Sequence, residues 1–206
     1  MSTEADIDGR HARSARTRRL IVEAFIALMR EKREVPTAAE IAKRARYSVR
    51  SVFERFADFT ELAVAAFQHV AEQGFSTPVG DKAAGDRPTR LEFHVSVRAR
   101  SCEKWLPLWR LLMQSPYASK ALAPQIDALR EASRARISLM YRPELETLPA
   151  PRRKATLIAI EALIDFESWG RMREHHGLSF EEAREVWISM IDQLLPPTPK
   201  AKRRAA

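Results

Sequence analysis

Four consecutive residues, Ser48-Val49-Arg50-Ser51, join a helix cap, a small apolar side chain, a guanidinium and a second hydroxyl. That mixture suits the floor of a DNA major groove. A guanidinium grips O6 and N7 of guanine through two parallel hydrogen bonds, and valine methyls meet the methyl of thymine. Thr37 offers a hydroxyl and nearby backbone donors to phosphate. Arg46, Tyr47, Phe53 and Arg55 complete the candidate DNA-binding set. A solvated surface charge is the competing reading of Arg50; its place in the first turn of a short helix favours base contact.

The elements that must position these groups carry their own punctuation. Thr37 stands three residues before Glu40, and Asp58 three before Glu61. Each pair fits a capping box, in which cap and acid satisfy orphan backbone donors reciprocally. Ser48 fits the simpler N-cap. The predicted helices run over 13–31, 38–45, 49–55 and from 58 onward. Two short helices joined by a tight turn form the element that lays a recognition helix in a groove. Val52 and Phe56 lie on the opposite face of the third helix and read as core. Thirteen basic residues against five acids between Arg10 and Phe56 account for a charge of +8, the formal charge of the whole chain. Such a concentration releases counterions on meeting phosphates.

TAAEIAKRA, SVRSVFERF and DFTEL, which carry Ile41, Ala42, Ala45, Ser48, Phe56 and Leu62, resemble the TetR family of bacterial transcriptional regulators between about Arg18 and Leu62. Four positions depart from the family pattern. Arg46 replaces a turn glycine, Phe53 a tyrosine, Arg55 a histidine and Phe59 a phosphate-gripping lysine. The resemblance implies an all-α protein with an N-terminal three-helix helix-turn-helix domain and a C-terminal helical domain for effector binding and dimerisation. Arg46, Arg44 and an N-terminal arm with Arg10, Arg13 and Arg16 compensate for the altered phosphate clamp, the arm entering a minor groove or remaining an untethered tail.

Residues 1–12 are polar and aperiodic and read as that disordered basic arm, with the DNA-binding domain over 13–60. Residues 77–88, TPVGDKAAGDRP, read as a linker. The effector-binding and dimerisation domain covers 61–195. Its predicted helices run over 88–104, 107–114, 124–141, 152–175 and 179–195, with a third capping box at Ser179 and Glu182. The tail 196–206, with Lys200, Lys202, Arg203 and Arg204, reads as disordered.

All four tryptophans lie beyond residue 100. Trp105, Trp109 and Met113 recur every four residues on one helical face, which by itself reads as core. The family resemblance points instead to a pocket for a largely apolar small molecule, lined by Phe93, Trp105, Trp109, Met113, Tyr117, Phe166 and Trp169, with His94, Arg98 and Cys102 as polar contributors. The last two helices carry apolar residues around most of their circumference. Leu157, Ile160, Ile164, Trp187, Ile191 and Leu194 are the expected homodimer face, four helices meeting about a two-fold axis. A thick monomeric core is the alternative.

One cysteine, Cys102, excludes a disulfide framework and any multi-cysteine metal site. Glu174-His175-His176 does not converge on a metal, because adjacent residues diverge by about 100° on a helix. No nucleophile elbow, glycine-rich phosphate loop or dinucleotide fingerprint occurs. We therefore expect no enzyme, no cofactor and no metal. With no membrane-length apolar run and no signal segment, the expected location is the cytoplasm. The sequence reads as a regulator released from a palindromic operator by an effector. A helical carrier protein with an incidental basic surface, or an effector-independent nucleoid or division factor, fits the same features.

Overall fold

Each predicted cap opens a helix. The structure, a computed structural model, describes the backbone of residues 4–72 and 80–199, and side chains over 13–71 and 82–199 except that of Ser119. The helices are α1 (Glu4–Lys32), α2 (Ala38–Ala45), α3 (Val49–Phe53), α4 (Phe59–Glu72), α5 (Arg87–Met113), α6 (Pro116–Ala121), α7 (Ala123–Met140), α8 (Arg142–Leu145), α9 (Ala150–Leu163), α10 (Phe166–Gly170) and α11 (Phe180–Leu194). A 3₁₀ turn, Gly80–Ala84, precedes α5, and a π-helical turn, Arg171–His175, continues α10. The fold is all-α, with no strand among the described residues.

The chain divides into two compact units. The first comprises residues 1–75 and 104–125, the second 76–103 and 126–206. In the first, α1 packs on α2 and α4, α2 on α3, and α4 on α6. Ile21, Phe25, Met29, Ile41, Phe56 and Leu62 close its core. Burying one such side chain contributes roughly 1.5–3 kcal/mol. In the second, α9 packs on α11 around the fully buried Ile160, Trp187 and Ile191.

Several elements differ from expectation. Helix α1 starts at Glu4, so helical backbone runs through most of the segment expected to be an unstructured arm. The side chain of Arg10 and the basic residues of the tail, from Lys200 on, lie outside the described residues, as do residues 77–79 of the expected linker, whose remainder holds the 3₁₀ turn and the first residues of α5. Helix α5 continues through Pro107, where a new helix was expected. Proline removes the amide that would meet the Glu103 carbonyl, a cost of about 3 kcal/mol. Burial of Trp105, Leu106, Leu108 and Leu112 on both sides of it outweighs that cost. Conversely, the single helix expected over 152–175 breaks after Leu163. Asp165 takes extended backbone, and its Oδ1 accepts the Ser168 amide at 2.7 Å, capping α10.

Two polar devices organise the second unit. Arg87 clasps the end of α11: Nε donates to Asp192 Oδ1 at 2.7 Å and Nη1 to the Pro196 carbonyl at 2.7 Å, while Nη2 donates to the Asp192 carbonyl. Beneath it Arg90 and Glu144 form a buried ion pair, and Thr198 donates to Glu144 Oε1 at 2.5 Å. Removing one partner of such a pair strands a buried charge, at roughly 3–5 kcal/mol.

Candidate nucleic-acid interface

Helix α2 is anchored at both ends. Thr37 accepts the Glu40 amide at 3.4 Å, and the Thr37 amide donates to Glu40 at 2.9 Å, which completes the expected capping box. Glu40 also takes Lys32 of α1. The Lys32 ammonium, then the Thr37 donors, hold its carboxyl down to about 2. A depressed folded value makes this contribution complete above the ordinary carboxylate range and lost as pH falls through about 2. At the other end Arg44 grips Glu31 bidentately, at 2.6 and 3.1 Å. Thr37's hydroxyl donates to Glu40 at 3.0 Å, so this candidate phosphate donor is engaged within the chain.

The turn between α2 and α3 is left-handed at Arg46, with φ 60° and ψ 41°. Its amide donates to the Lys43 carbonyl at 3.3 Å, and the Tyr47 amide to the Ala42 carbonyl at 2.9 Å. These bonds close the helix end as a glycine ordinarily does, and the Cβ of Arg46 costs about 1 kcal/mol there. Ser48 then caps α3, its Oγ accepting the Ser51 amide at 3.1 Å. The two serine hydroxyls also bond each other at 2.9 Å.

Packing fixes which face of α3 is offered. Val52 and Phe56 are buried, whereas Val49 is 41% and Phe53 48% exposed. The Arg50 side chain is 88% exposed. Arg18 of α1 braces the far side of α3. Its guanidinium lies 4.1 Å from the Phe56 ring centroid, donates to the Arg55 carbonyl at 2.6 Å and pairs with Glu61 of α4 at 3.1 Å. Arg55 is half-buried, and its Nε has no hydrogen-bond partner among the described residues. Tyr47 accepts from the Thr17 hydroxyl at 3.3 Å. Asp58 accepts the Glu61 amide at 2.8 Å, but Glu61 returns its bond to the Ala57 amide rather than to the cap residue itself. The DNA-binding candidates thus lie together along α2, the turn and α3. Thr37 and Ser48 are engaged as caps and Ser51 is bonded to Ser48, while Arg46, Val49, Arg50 and Phe53 face solvent.

This arrangement is a helix-turn-helix in which one face of α3 is open to solvent. The chain is similar in structure to a transcriptional regulator from Rhodococcus sp. Rha1. The likeness covers 88% of this chain and 99% of that one, with a TM-score of 0.57 and 18% sequence identity. The two share a fold. No protein-family model matches the chain, and no curated protein matches it in sequence.

Within that fold the expected ligand-lining residues divide between the units. Trp105, Trp109, Met113 and Tyr117 belong to the first, and Phe93, Phe166 and Trp169 to the second. Trp105 is buried, with the cations of Arg30 at 5.0 Å and Lys104 at 4.7 Å over its ring; Met113 and Tyr117 are exposed. Trp169 is fully buried, 4.9 Å from the Trp187 ring and 5.4 Å from that of Phe180. Its indole N–H donates to Glu103 at 2.7 Å, and Arg173 holds the same carboxylate. Phe166 lies under Arg98, whose Nε donates to the Ile164 carbonyl at 2.7 Å.

His94 shares a hydrogen bond with the Tyr141 hydroxyl at 2.8 Å. Burial, then the charges of Arg136 and Arg98, push His94 down to about 3. Burial pushes the Cys102 thiol up to about 12. A thiol so raised stays protonated and unreactive. No group of three metal-ligating side chains occurs among the described residues.

The expected dimer residues also separate by exposure. Ile160, Ile164, Trp187 and Ile191 are buried within their own unit, Leu157 is half-buried and Leu194 exposed. The exposed apolar stripe of α11 is Val186, Met190 and Leu194, four residues apart, and α9 adds Ile158. Of this stripe the sequence pointed to Leu194 alone, because α11 is apolar on two faces and periodicity does not rank them.

Proposed function

We propose that the chain is a sequence-specific DNA-binding transcriptional regulator of the TetR type. The observation that carries this reading is the face of α3: two exposed apolar side chains flank an exposed guanidinium, on a helix capped, braced and anchored from behind. Exposed Val49 and Phe53 contribute nothing to the core of their own unit; against thymine methyls they would be covered. Arg46 and the exposed arginines of α1 supply phosphate contacts. The fold shared with a transcriptional regulator supports the same reading.

A single α3 reads few base pairs, so the reading includes a homodimer on a palindromic operator, with two heads about 34–36 Å apart or a multiple of that. The stripe Val186, Met190 and Leu194, with Ile158, supports an α9–α11 pairing across a two-fold axis. Release by a small, largely apolar effector completes the proposal, with Trp109, Met113 and Tyr117 as contacts that the core leaves accessible. An effector acts only through unequal affinity for two arrangements of the dimer. No described helix is long and apolar enough to cross a membrane, and a DNA target implies work in the cytoplasm.

The test is selection from a randomised duplex library, followed by a gel shift across a salt series. The expected result is an inverted repeat, with affinity falling steeply as salt rises. Absence of any preferred sequence, with no binding at low ionic strength, would overturn the proposal.

A further inference from the structure

We propose that Glu54 is a positioning residue that turns α3 into a reader of guanine, an inference that rests on the DNA-binding reading above. Arg50 Nε donates to Glu54 Oε1 at 2.9 Å. This contact occupies the Nε side of the guanidinium and leaves Nη1 and Nη2 without a hydrogen-bond partner among the described residues. Those two groups are the part of the fork that matches O6 and N7 of guanine. Neighbouring arginines are held the other way. Arg44 spends both Nη groups on Glu31, and Arg18 spends Nη1 on the Arg55 carbonyl and on Glu61. Those two are braces, whereas Arg50 is presented.

Helix stability does not account for the pair. It is exposed, with Glu54 46% and Arg50 88% accessible, and such pairs contribute little. The order, with the base N-terminal to the acid, is the weaker one for an i,i+4 pair. The pair joins Arg50 in α3 to the residue that ends that helix. Its consequence is to restrict a long side chain before DNA arrives, which lowers the ordering cost of binding.

The acid has a second effect. A carboxylate beside the groove repels phosphate, so Glu54 lowers sequence-independent affinity while raising discrimination. These opposite signs separate positioning from a merely structural role, in which loss of Glu54 weakens all binding together.

The experiment uses the full-length chain and the best duplex from the library selection, with anisotropy titrations against that duplex and a random one. In the wild type, changing one G·C pair in a single half-site to A·T weakens binding roughly tenfold to hundredfold. Glu54→Ala shrinks that ratio to a few-fold and tightens binding to the random duplex. Glu54→Gln, which keeps an acceptor for Nε, retains most of the ratio. Arg50→Ala abolishes it, and adding Glu54→Ala to that background changes it no further.

A full guanine preference in Glu54→Ala overturns the proposal. So does a further change in preference when Glu54→Ala is added to Arg50→Ala, because Glu54 would then be reading cytosine N4 itself. Failure of the wild type to select any sequence overturns the DNA-binding reading, and this inference with it.

Discussion

Two regions that set apolar side chains beside polar groups, the surroundings of Trp169 and the face of α3, are built on opposite plans. In the second unit the polar groups beside buried aromatics are engaged within the chain: the Trp169 indole on Glu103, Arg173 on the same carboxylate, Arg98 Nε on a backbone carbonyl, His94 Nδ1 on Tyr141. Along α3 the polar atoms that build the helix are spent on caps, and the side chains that build nothing stand in solvent. The contrast separates residues kept for folding from residues kept for contact. Aromatic content alone does not make that distinction; satisfaction of the polar atoms does.

The largest effect should come from the spent region. Trp187→Ala should destabilise the chain by roughly 3–5 kcal/mol in urea unfolding, as expected for a fully buried indole. A loss under about 1 kcal/mol would return Trp187 to the list of surface or interface residues. His94 gives a pH signature. Its folded value is depressed below the ordinary imidazole range, so the unfolded chain binds the extra proton. Stability is then complete above about pH 6.5 and falls as pH drops toward 3, at roughly 1.4 kcal/mol per unit. Thermal midpoints measured over pH 4–7 should flatten in His94→Gln if this group carries the slope.

The open region should respond in binding and hardly in stability. Arg50→Ala should leave the urea midpoint within the ordinary scatter of surface substitutions, about 0.5 kcal/mol, while relaxing preference at one base pair by about 1–3 kcal/mol. A marked loss of stability would make Arg50 a structural residue and erase the contrast. On α11, Met190→Glu should convert dimers to folded monomers by light scattering; unfolding instead would place Met190 inside the core. Smallest is Arg46→Gly, which should raise stability by about 1 kcal/mol by relieving the left-handed turn, yet weaken binding to every duplex alike.

What could be read from the sequence was local. The boxes at Thr37–Glu40 and Ser179–Glu182 and the cap at Ser48 depend on residues within one turn, and each appears as spaced. The capped helix-turn-helix was legible for the same reason. Where packing competes with local preference, the sequence misled. Pro107 reads as a helix start, but the buried neighbours on either side carry α5 past it. Asp165 falls inside the single helix expected over 152–175. Glu161 pairs with Arg134, at 3.1 Å, while Asp165 ends one helix and caps the next. Glu54 gave a faint signal, an acid four residues after Arg50, which spacing alone does not distinguish from an ordinary solvated pair. Which apolar face of α11 turns inward depends on where α9 lies, and that is a tertiary fact.

The clasp of Arg87 on α11 bears on how a paired assembly would hold its geometry. Helix ends ordinarily fray, and the outermost turn of α11 carries Leu194. One guanidinium gathers two loose carbonyls and a carboxylate there, so the last turn keeps its shape without help from a partner. In the proposed homodimer a rim prepared in this way would meet its counterpart as a finished edge, with little ordering left to be done.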